Sequence, residues 1–471
     1  MTASPIPPAG SAWRHLHPLT PWLRGWAVLV LLGTMVVKQA QNSLSDLMEV
    51  GRVAGLGTIA AVVAGVLAIA ILYNLLWWRQ ARFRIGAESV ELAVGILFRR
   101  HRSIRIDQLE AIDIVRGIVP RLFGLATLSL ETAGGLDSNL SLSYVRLSEA
   151  ETLRSLLLAR RTGVGTTGEP EPARTAVPQH LFRVPPNWTI RAYLRTVTPW
   201  SMGTTIVALV VISLVMNHWG PLAAVVPALL SLGQTVWTYV VTEMGWTVFV
   251  EPDGVRLTHG LVTQVNQSIP AERIQALRLR QRLWWRGPNW WRIDLNVAGY
   301  GLPSKQSRTV LAPVADPVMA RMAVTAIMPD ATTDAVWAVV EQAMRGTGEG
   351  PGRVGTPRRA RCLTPFVWRY QGYARTPYAL IIRTGRLNRT VTIIPHQRIQ
   401  GLTVEAGPWD RRYRLGSAIL HSTQGPVVAR IPDLDSADLA EFVREEIPLI
   451  EVAWSVHCQV ELCFPTQTGK R

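Results

Sequence analysis

Two nearly identical stretches, "IPAERIQAL" at residues 269–277 and "IPHQRIQGL" at 394–402, decide the architecture of this chain. A weaker third copy, "IRIDQLEAI", occupies residues 104–112. Repetition at a fixed internal spacing is the sequence signature of one structural unit used several times. We therefore predict three copies of one unit. Each copy begins nine residues after a glycine, namely Gly95, Gly260 and Gly385.

The residues around each copy are typical of short strands followed by a helix. Apolar and polar residues alternate on both sides of a tight turn in 246–262, which is the pattern of a β-hairpin. Another β-rich run follows each copy, and an amphipathic stretch closes the unit. In the second unit Asp316 is expected to cap this helix, with Pro317 at its first position. The closing helices are expected at 148–161, 316–328 and 435–447.

The repeated motif itself is interpreted as one strand of a small β-barrel-like unit. Ile269, Ile274 and Leu277 are expected in the core because they are apolar at matching positions. Arg273 and Gln275 are expected at the surface or at a sheet edge.

Four long apolar stretches predict membrane helices. A helix needs about 20 apolar residues to cross the hydrocarbon core. Residues 53–78 contain no charge, and neither do 198–220 and 221–242. Residues 19–39 carry basic groups only near their ends, where long side chains reach the interface. Four buried helices of a soluble protein are the alternative, but 26 uncharged residues would require an unusually large core.

Composition agrees with a membrane protein in a reducing compartment. The chain has 471 residues, of which 17% are charged and 48% hydrophobic. Its net charge of +16 is nearly all arginine, and basic residues flank the apolar stretches, so a membrane surface is favoured over nucleic acid. The three cysteines form no disulfide framework. Cys458, Cys463 and neighbouring His457 lack the further ligands that a zinc site requires.

The resulting domain plan alternates membrane helices with β-rich units. It contains two helix pairs and three domains, each domain ending in a helix. The expected segments are an N-terminal tail at 1–18, a first transmembrane pair at 19–78, a first domain at 79–162, a linker at 163–195, a second transmembrane pair at 196–242, a second domain at 243–330, a helix with a Gly/Arg-rich linker at 331–362, a third domain at 363–450 and a C-terminal tail at 451–471.

These features resemble the bacterial pleckstrin-homology-like (PH-like) membrane proteins of the YdbS/YdbT type. The resemblance rests on the hairpin, its glycine, and the Ile-Pro pair and Arg-Ile-Gln triplet of the motif. It continues through "RLFG" at 121–124 and "RYRLG" at 412–416. It implies an α+β membrane protein with two transmembrane helix pairs and three PH-like β-barrel or β-sandwich domains, each closed by a C-terminal helix. The first copy departs from the pattern at Arg105 and Gln108, and the second has "NWW" in place of "RLFG".

No catalytic residue, cofactor or metal site is predicted, because the chain lacks phosphate-loop, zinc-protease, esterase and kinase motifs. The favoured function is a membrane-anchored cytoplasmic scaffold whose PH-like domains bind partner proteins, one another or anionic lipid headgroups. The alternative is a transporter or channel component built on the four helices. The expected partners are the bilayer and another membrane or cytoplasmic protein, such as a smaller PH-like membrane protein or a second copy of this chain; nucleic acid is not expected. The expected location is the inner (cytoplasmic) membrane, with the domains on the arginine-rich cytoplasmic side.

Two groups of residues are candidate lipid or partner contacts. The stretch "RLRQRLWWRGPNWWR" at 278–292 is rich in tryptophan and arginine, a composition typical of binding hot spots and of headgroup contacts. Neighbouring residues on a strand point to opposite sides, so some of these indoles are expected at the surface. The candidates are Arg278, Arg280, Arg282, Trp284, Trp285, Arg286, Trp290, Trp291 and Arg292, with Arg383, Arg386 and Arg389 in the third unit.

Overall fold

The computed structural model describes residues 13–15, 65, 68, 72–86, 89–95, 100–132, 140–161, 179–217, 224–251, 254–298, 309–328, 334–346 and 353–463. The chain divides into two compact units. The first comprises residues 1–174 with 262–266, and the second comprises 175–261 with 267–471.

The first unit contains a four-stranded and a three-stranded antiparallel arrangement. The strands β1 (Arg14–His15), β2 (Arg82–Ile85), β3 (Ser89–Val94) and β4 (Arg100–Arg105) lie side by side in that order. The strands β5 (Leu109–Arg116), β6 (Leu125–Thr132) and β7 (Leu140–Arg146) follow, with helix α1 (Ile118–Leu122) between β5 and β6 and helix α2 (Leu147–Arg161) after β7. Apolar side chains of both groups of strands and of α2 form one core.

The second unit begins with another copy of this plan. Four strands lie side by side: β8 (Gln179–Arg183), β9 (Thr247–Glu251), β10 (Gly254–His259) and β11 (Gln264–Pro270), of which residues 264–266 belong to the first unit. Between β8 and β9 the chain forms helices α3 (Pro186–Leu194), α4 (Val197–Val215) and α5 (Val225–Val236), and α5 ends in a π-helical turn, Trp237–Val241. The strands β12 (Ile274–Gln281), β13 (Trp291–Val297) and β14 (Val310–Ala315) and helix α6 (Pro317–Ile327) complete the copy.

A third copy completes the second unit, after helix α7 (Asp334–Arg345). It contains β15 (Arg353–Gly355), β16 (Gly372–Arg375), β17 (Ala379–Thr384) and β18 (Arg389–Pro395), then β19 (Gly401–Glu405), helix α8 (Pro408–Arg412), β20 (Leu415–His421), β21 (Ala429–Asp435) and helix α9 (Ser436–Cys463). The strand β18 pairs with β12, so seven strands form one continuous sheet in the order β14-β13-β12-β18-β17-β16-β15.

The repeated motif is a crossover between two groups of strands rather than a single strand. Ile269 and Pro270 end β11, residues 271–273 form a 3₁₀ turn, and Ile274 begins β12. Ile269, Ile274 and Leu277 are buried as predicted. The prediction for Gln275 is wrong because this side chain is buried as well. The glycine nine residues earlier has a positive φ in every copy, a conformation that other residues rarely adopt.

In the second copy, the apolar helices α4 and α5 lie between the first two strands, β8 and β9. Among the described residues, Val197–Val215 is the one helix long and apolar enough to cross a membrane, and the apolar helix 225–241 is shorter. The two helix pairs are therefore not confirmed; most of the first pair, 19–78, lies outside the described residues. The expected linker 163–195 contains β8 and α3, and β8 is a strand because β9 offers its edge. In the third copy a 3₁₀-rich connector, residues 356–371, takes the place of the helices between β15 and β16.

Candidate membrane and partner interface

The tryptophan-rich stretch of the second copy is mostly internal. Trp284 is 46% exposed, whereas Trp285, Trp290 and Trp291 are each 5% exposed or less. Trp285 donates its indole N–H to the carbonyl oxygen of Ala192 at 3.0 Å. The three buried indoles cannot form an outer contact surface, so the candidate site keeps only Trp284 from this group.

Three candidate arginines converge on one acid. The guanidiniums of Arg278, Arg280 and Arg292 lie 2.8, 3.3 and 3.1 Å from the carboxylate of Asp294. Burial works to raise the pKa of Asp294, but the three guanidiniums outweigh it and lower that pKa. These arginines therefore neutralise a buried carboxylate and stabilise the sheet.

Arg292 also connects β13 to the end of the helical hairpin. Its guanidinium makes two bonds to the carboxylate of Glu243, at 3.1 and 2.8 Å, and both side chains are less than one-fifth exposed. Burial alone would lower the pKa of Arg292, but Glu243 and Asp294 outweigh it and raise that pKa. Bidentate pairing of this kind fixes orientation as well as distance.

The arginines of the third copy are likewise used internally, with one exception. Arg383 is fully buried and donates to the carbonyl oxygen of Ala343 in α7; burial lowers its pKa to about 10. Arg389 lies 3.4 Å from the side-chain oxygen of Gln281 and 3.5 Å from the Met344 carbonyl oxygen. Arg386 is placed differently, with its guanidinium 5.9 Å from the centre of the Tyr370 ring. The three candidates therefore do not converge on one headgroup site.

Aromatic contacts fix the base of the helical hairpin on the second copy. The ring of Trp188 in α3 lies 5.5 Å from that of Trp290, and the Arg195 guanidinium lies 5.4 Å from the same indole. Tyr193 stacks on Tyr239 at 6.1 Å. These contacts place the β12–β13 connection against the point where the apolar helices α4 and α5 begin and end.

Exposed apolar side chains continue from this base along one edge of the second unit. Leu261 follows β10, and its backbone N–H donates to the Val241 carbonyl oxygen at 3.0 Å, so it lies at the foot of the hairpin. Leu283 and Trp284 follow β12. Arg286 then donates to the Leu387 carbonyl oxygen at 3.0 Å and joins this stretch to the β17–β18 turn. We call this edge the apolar rim; its residues and exposures are Leu261 56%, Leu283 42%, Trp284 46%, Phe366 71%, Leu387 61% and Trp409 66%.

The connector 356–371 carries the rim onto the third copy. Its Ala360 and Trp368 form a small core with Leu415, against which Leu363 and Tyr413 also pack. The Thr364 hydroxyl donates to the Asp433 carboxylate at 2.9 Å. The connector therefore lies against α8, where Trp409 is exposed, and against the turn that holds Leu387 through Arg386 and Tyr370. It is also basic, with arginines at 358, 359, 361 and 369.

The first unit has exposed apolar side chains at the corresponding place after β5. Ile118, Val119, Leu122 and Phe123 are 44–81% exposed there. The same connection in the second and third copies carries Trp284 and Trp409. All three copies therefore expose large apolar groups at one topological position, and clusters of exposed apolar side chains mark sites of contact with membranes or other proteins.

Sequence reasoning missed the rim residues outside the tryptophan-rich stretch. Leu261, Phe366, Leu387 and Trp409 are single apolar residues in short turns, and no periodicity marks them. Their position in the repeat could nevertheless have identified these residues, because each lies in a connection that follows or replaces a repeated element. Among the residues that the structure describes, no group of three His, Cys, Asp or Glu side chains is placed to hold a metal ion.

Comparisons with known proteins agree with this repeat architecture. The profile of the family described as Bacterial PH domain matches residues 28–161, 202–324 and 360–447. The chain is also 26% identical over 153 residues to the UPF0699 transmembrane protein YdbT of Bacillus subtilis (strain 168). That similarity covers 31% of this chain and 30% of the relative, so the matched region spans less than a third of the relative's length. No solved structure matches the chain.

Proposed function

Because this chain belongs to the bacterial PH domain family, we propose that it is a membrane-anchored scaffold whose PH-like domains lie against the headgroup region and bind partner proteins, one another or anionic lipid. The proposal includes no catalytic step. The matched relative is named a transmembrane protein, which supports membrane anchoring.

The apolar rim is the observation that carries this proposal. It begins at the foot of the helical hairpin, beside the π-helical turn that ends α5, and it includes Trp284, Leu387 and Trp409. The other helix of this hairpin, α4, is long and apolar enough to cross a membrane. Tryptophan and arginine side by side are favoured at the membrane interface, where the ring is half-desolvated and the guanidinium meets phosphate. An edge of this composition beside a membrane helix is suited to contact with anionic headgroups.

The proposed orientation places the PH-like domains in the cytoplasm. Arginines cluster on the domain side of the apolar stretches, at 79, 82 and 84 and at 191 and 195, whereas the short connection between the helices of the second pair has no arginine or lysine. Basic residues near short loops remain on the cytoplasmic side.

The transporter alternative receives no comparable support. The hydroxyls of Thr204, Thr205 and Thr238 donate at 2.9 Å to carbonyl oxygens of their own helices. Hydroxyls used in this way satisfy the helix internally and do not mark a polar path.

Depth-dependent quenching tests the proposal. Single cysteines are introduced at Leu387, Trp409 or Val428 in a chain with Cys362, Cys458 and Cys463 replaced by serine, and each is labelled with an environment-sensitive dye. The full-length proteins are placed in bilayers containing anionic lipid and lipids with a nitroxide at the headgroup. We expect strong quenching at Leu387 and Trp409.

Val428 provides the matched control. It is 64% exposed, and it lies beside the β21 residue Ala429, which pairs with Leu420 near the far end of β20 from α8. We expect little quenching there. Replacing Arg358, Arg359 and Arg361 together by glutamine should reduce quenching at Trp409. Equal quenching at Val428 and Trp409 would contradict the proposal.

A further inference from the structure

The chain contains two strand junctions of the same kind. In the first unit, residues 264–266 lie antiparallel to β5. In the second unit, β18 lies antiparallel to β12. In both cases the strand that follows the repeated motif of one copy accepts the strand that precedes the motif of the next copy.

The two junctions have the same register. At the first, Ile114, Val115 and Arg116 face Asn266, Val265 and Gln264. At the second, Leu279, Arg280 and Gln281 face Val391, Thr390 and Arg389. Counting from the motifs, Arg116 corresponds to Gln281, and Gln264 corresponds to Arg389. An identical register at two junctions with different side chains indicates that the backbone edge, rather than a particular side-chain pair, sets the alignment.

One strand that follows a motif and one strand that precedes a motif remain at the edge of a sheet. The strand β19 follows the third motif and pairs on one side with β20; within the described residues no strand lies on its other side. Thr403, Val404 and Glu405 are exposed, whereas the corresponding residues of β12 are buried or half-buried. The strand β4 precedes the first motif and is the last strand of its sheet. Its residues Arg100, His101, Ser103 and Arg105 are exposed.

We propose that β19 of one molecule accepts β4 of a second copy of this chain as an antiparallel strand, in the register of the two internal junctions. The occupant follows from the chain itself, because β4 is the copy of β11 and β18 that has no such acceptor within the described residues. Unpaired edges with exposed backbone groups readily accept another strand. This inference rests on the proposed scaffold function, and it names a partner for it.

Transferring the register predicts a pair of opposite charges. By position in the repeat, Glu405 is equivalent to Arg280, and Arg100 of β4 is equivalent to Thr390. At the second junction Arg280 faces Thr390. Glu405 of one molecule therefore faces Arg100 of the next, and Val404 faces His101. Opposite charges directly across a strand pair stabilise it. The contact joins two different surfaces, so it produces a ring or an open row of molecules in the membrane rather than a symmetric dimer.

Disulfide trapping tests this register in the full-length protein. In the background without native cysteines, Glu405→Cys and Arg100→Cys are expressed on separately tagged chains in the same membrane; a second pair uses Val404→Cys with His101→Cys. Directly opposed Cα atoms in an antiparallel pair are about 4.5 or 5.5 Å apart, both within disulfide reach. We expect both mixed disulfides to form. A chain with Val428→Cys, also exposed, should not form one with Arg100→Cys.

Charge reversal provides a second, independent measurement. Glu405→Arg alone or Arg100→Glu alone should weaken association of labelled molecules in bilayers by about 3- to 10-fold, because one cross-strand attraction becomes a repulsion. Both substitutions in every chain should restore it. Both side chains are exposed, so neither change should prevent folding.

Three outcomes would overturn the proposal. A disulfide between two Glu405→Cys chains without the mixed product would indicate symmetric edge pairing. If the labelled molecules remained monomeric at every protein density in the bilayer, β19 would have to pair with a different protein. Failure of the double charge reversal to restore association would reject the register. None of these outcomes concerns headgroup quenching, so failure of this inference and failure of the proposed membrane contact can be told apart.

Discussion

Replacing Glu243 by glutamine should loosen the second PH-like copy where it meets the helical hairpin. The carboxylate makes two bonds to Arg292, at 3.1 and 2.8 Å, and both side chains are less than one-fifth exposed. Glutamine keeps the shape but loses the charge, and Arg292 retains Asp294. A hydrogen bond to a charged group contributes about 1.5–3 kcal/mol. We therefore expect the free energy of local opening at β13 to fall by about 2 kcal/mol.

Hydrogen–deuterium exchange of the full-length protein in bilayers measures this opening. A loss of about 2 kcal/mol makes amide exchange in β13 about 30-fold faster. Asp107→Asn is the matched control, because Arg105 and Asp107 lie at a similar distance, 2.7 Å, but are 66% and 58% exposed. An exposed pair contributes about 0–1 kcal/mol. If both substitutions accelerated amide exchange around their own ion pairs equally, the argument that burial makes the Glu243 pair strong would be refuted.

Three further outcomes are expected. Cys362 is exposed, and with a cytoplasmic third copy it should react with an impermeant maleimide only after sealed cells are permeabilised; labelling of intact cells would contradict this orientation. Burial lowers the pKa of His259, so its contribution to the free energy of unfolding should be complete above pH about 6.5, where the unfolded side chain is also neutral, and should fall as the pH drops. The free energy of unfolding in urea, plotted against pH between 7.5 and 5.5, should therefore have a different slope for the wild type and for His259→Asn. Equal slopes would argue against a neutral buried imidazole. A fragment of residues 334–463 should fold as a soluble β-rich domain and be more stable by circular dichroism than 360–450, because the shorter piece lacks β15 and the helix whose carbonyl binds Arg383; equal melting temperatures would refute this.

Local patterns in the sequence predict the elements well, and pairings between distant segments poorly. The alternation around Gly385 predicts β17 and β18, and Asp316 caps α6 by accepting from the Met319 N–H at 2.7 Å, as its spacing indicates. In contrast, β8 is unrecognisable alone because about 60 residues separate it from its partner β9.

The tryptophan-rich stretch shows a second limit of sequence reasoning. Strand alternation predicts that one of two neighbouring indoles is exposed, but only when one face of the strand meets solvent. Trp291 faces the interior, and Trp290 packs against Trp188 of α3 on the other side. The helix that covers this second face comes from a region about 100 residues earlier, and no local pattern reveals it.

The connector 356–371 has a consequence for how the chain is made. In the second copy, β9 leaves the ribosome only after the intervening apolar helices, so β8 waits for about 60 residues before its partner strand exists. In the third copy about 16 residues separate β15 from β16, and the loop to be closed costs about 1 kcal/mol less. The third copy can therefore pair β15 with β16 soon after both strands have been synthesised. Once folded, it offers β18 to the strand β12 of the second copy, whose own first two strands must close the longer connection.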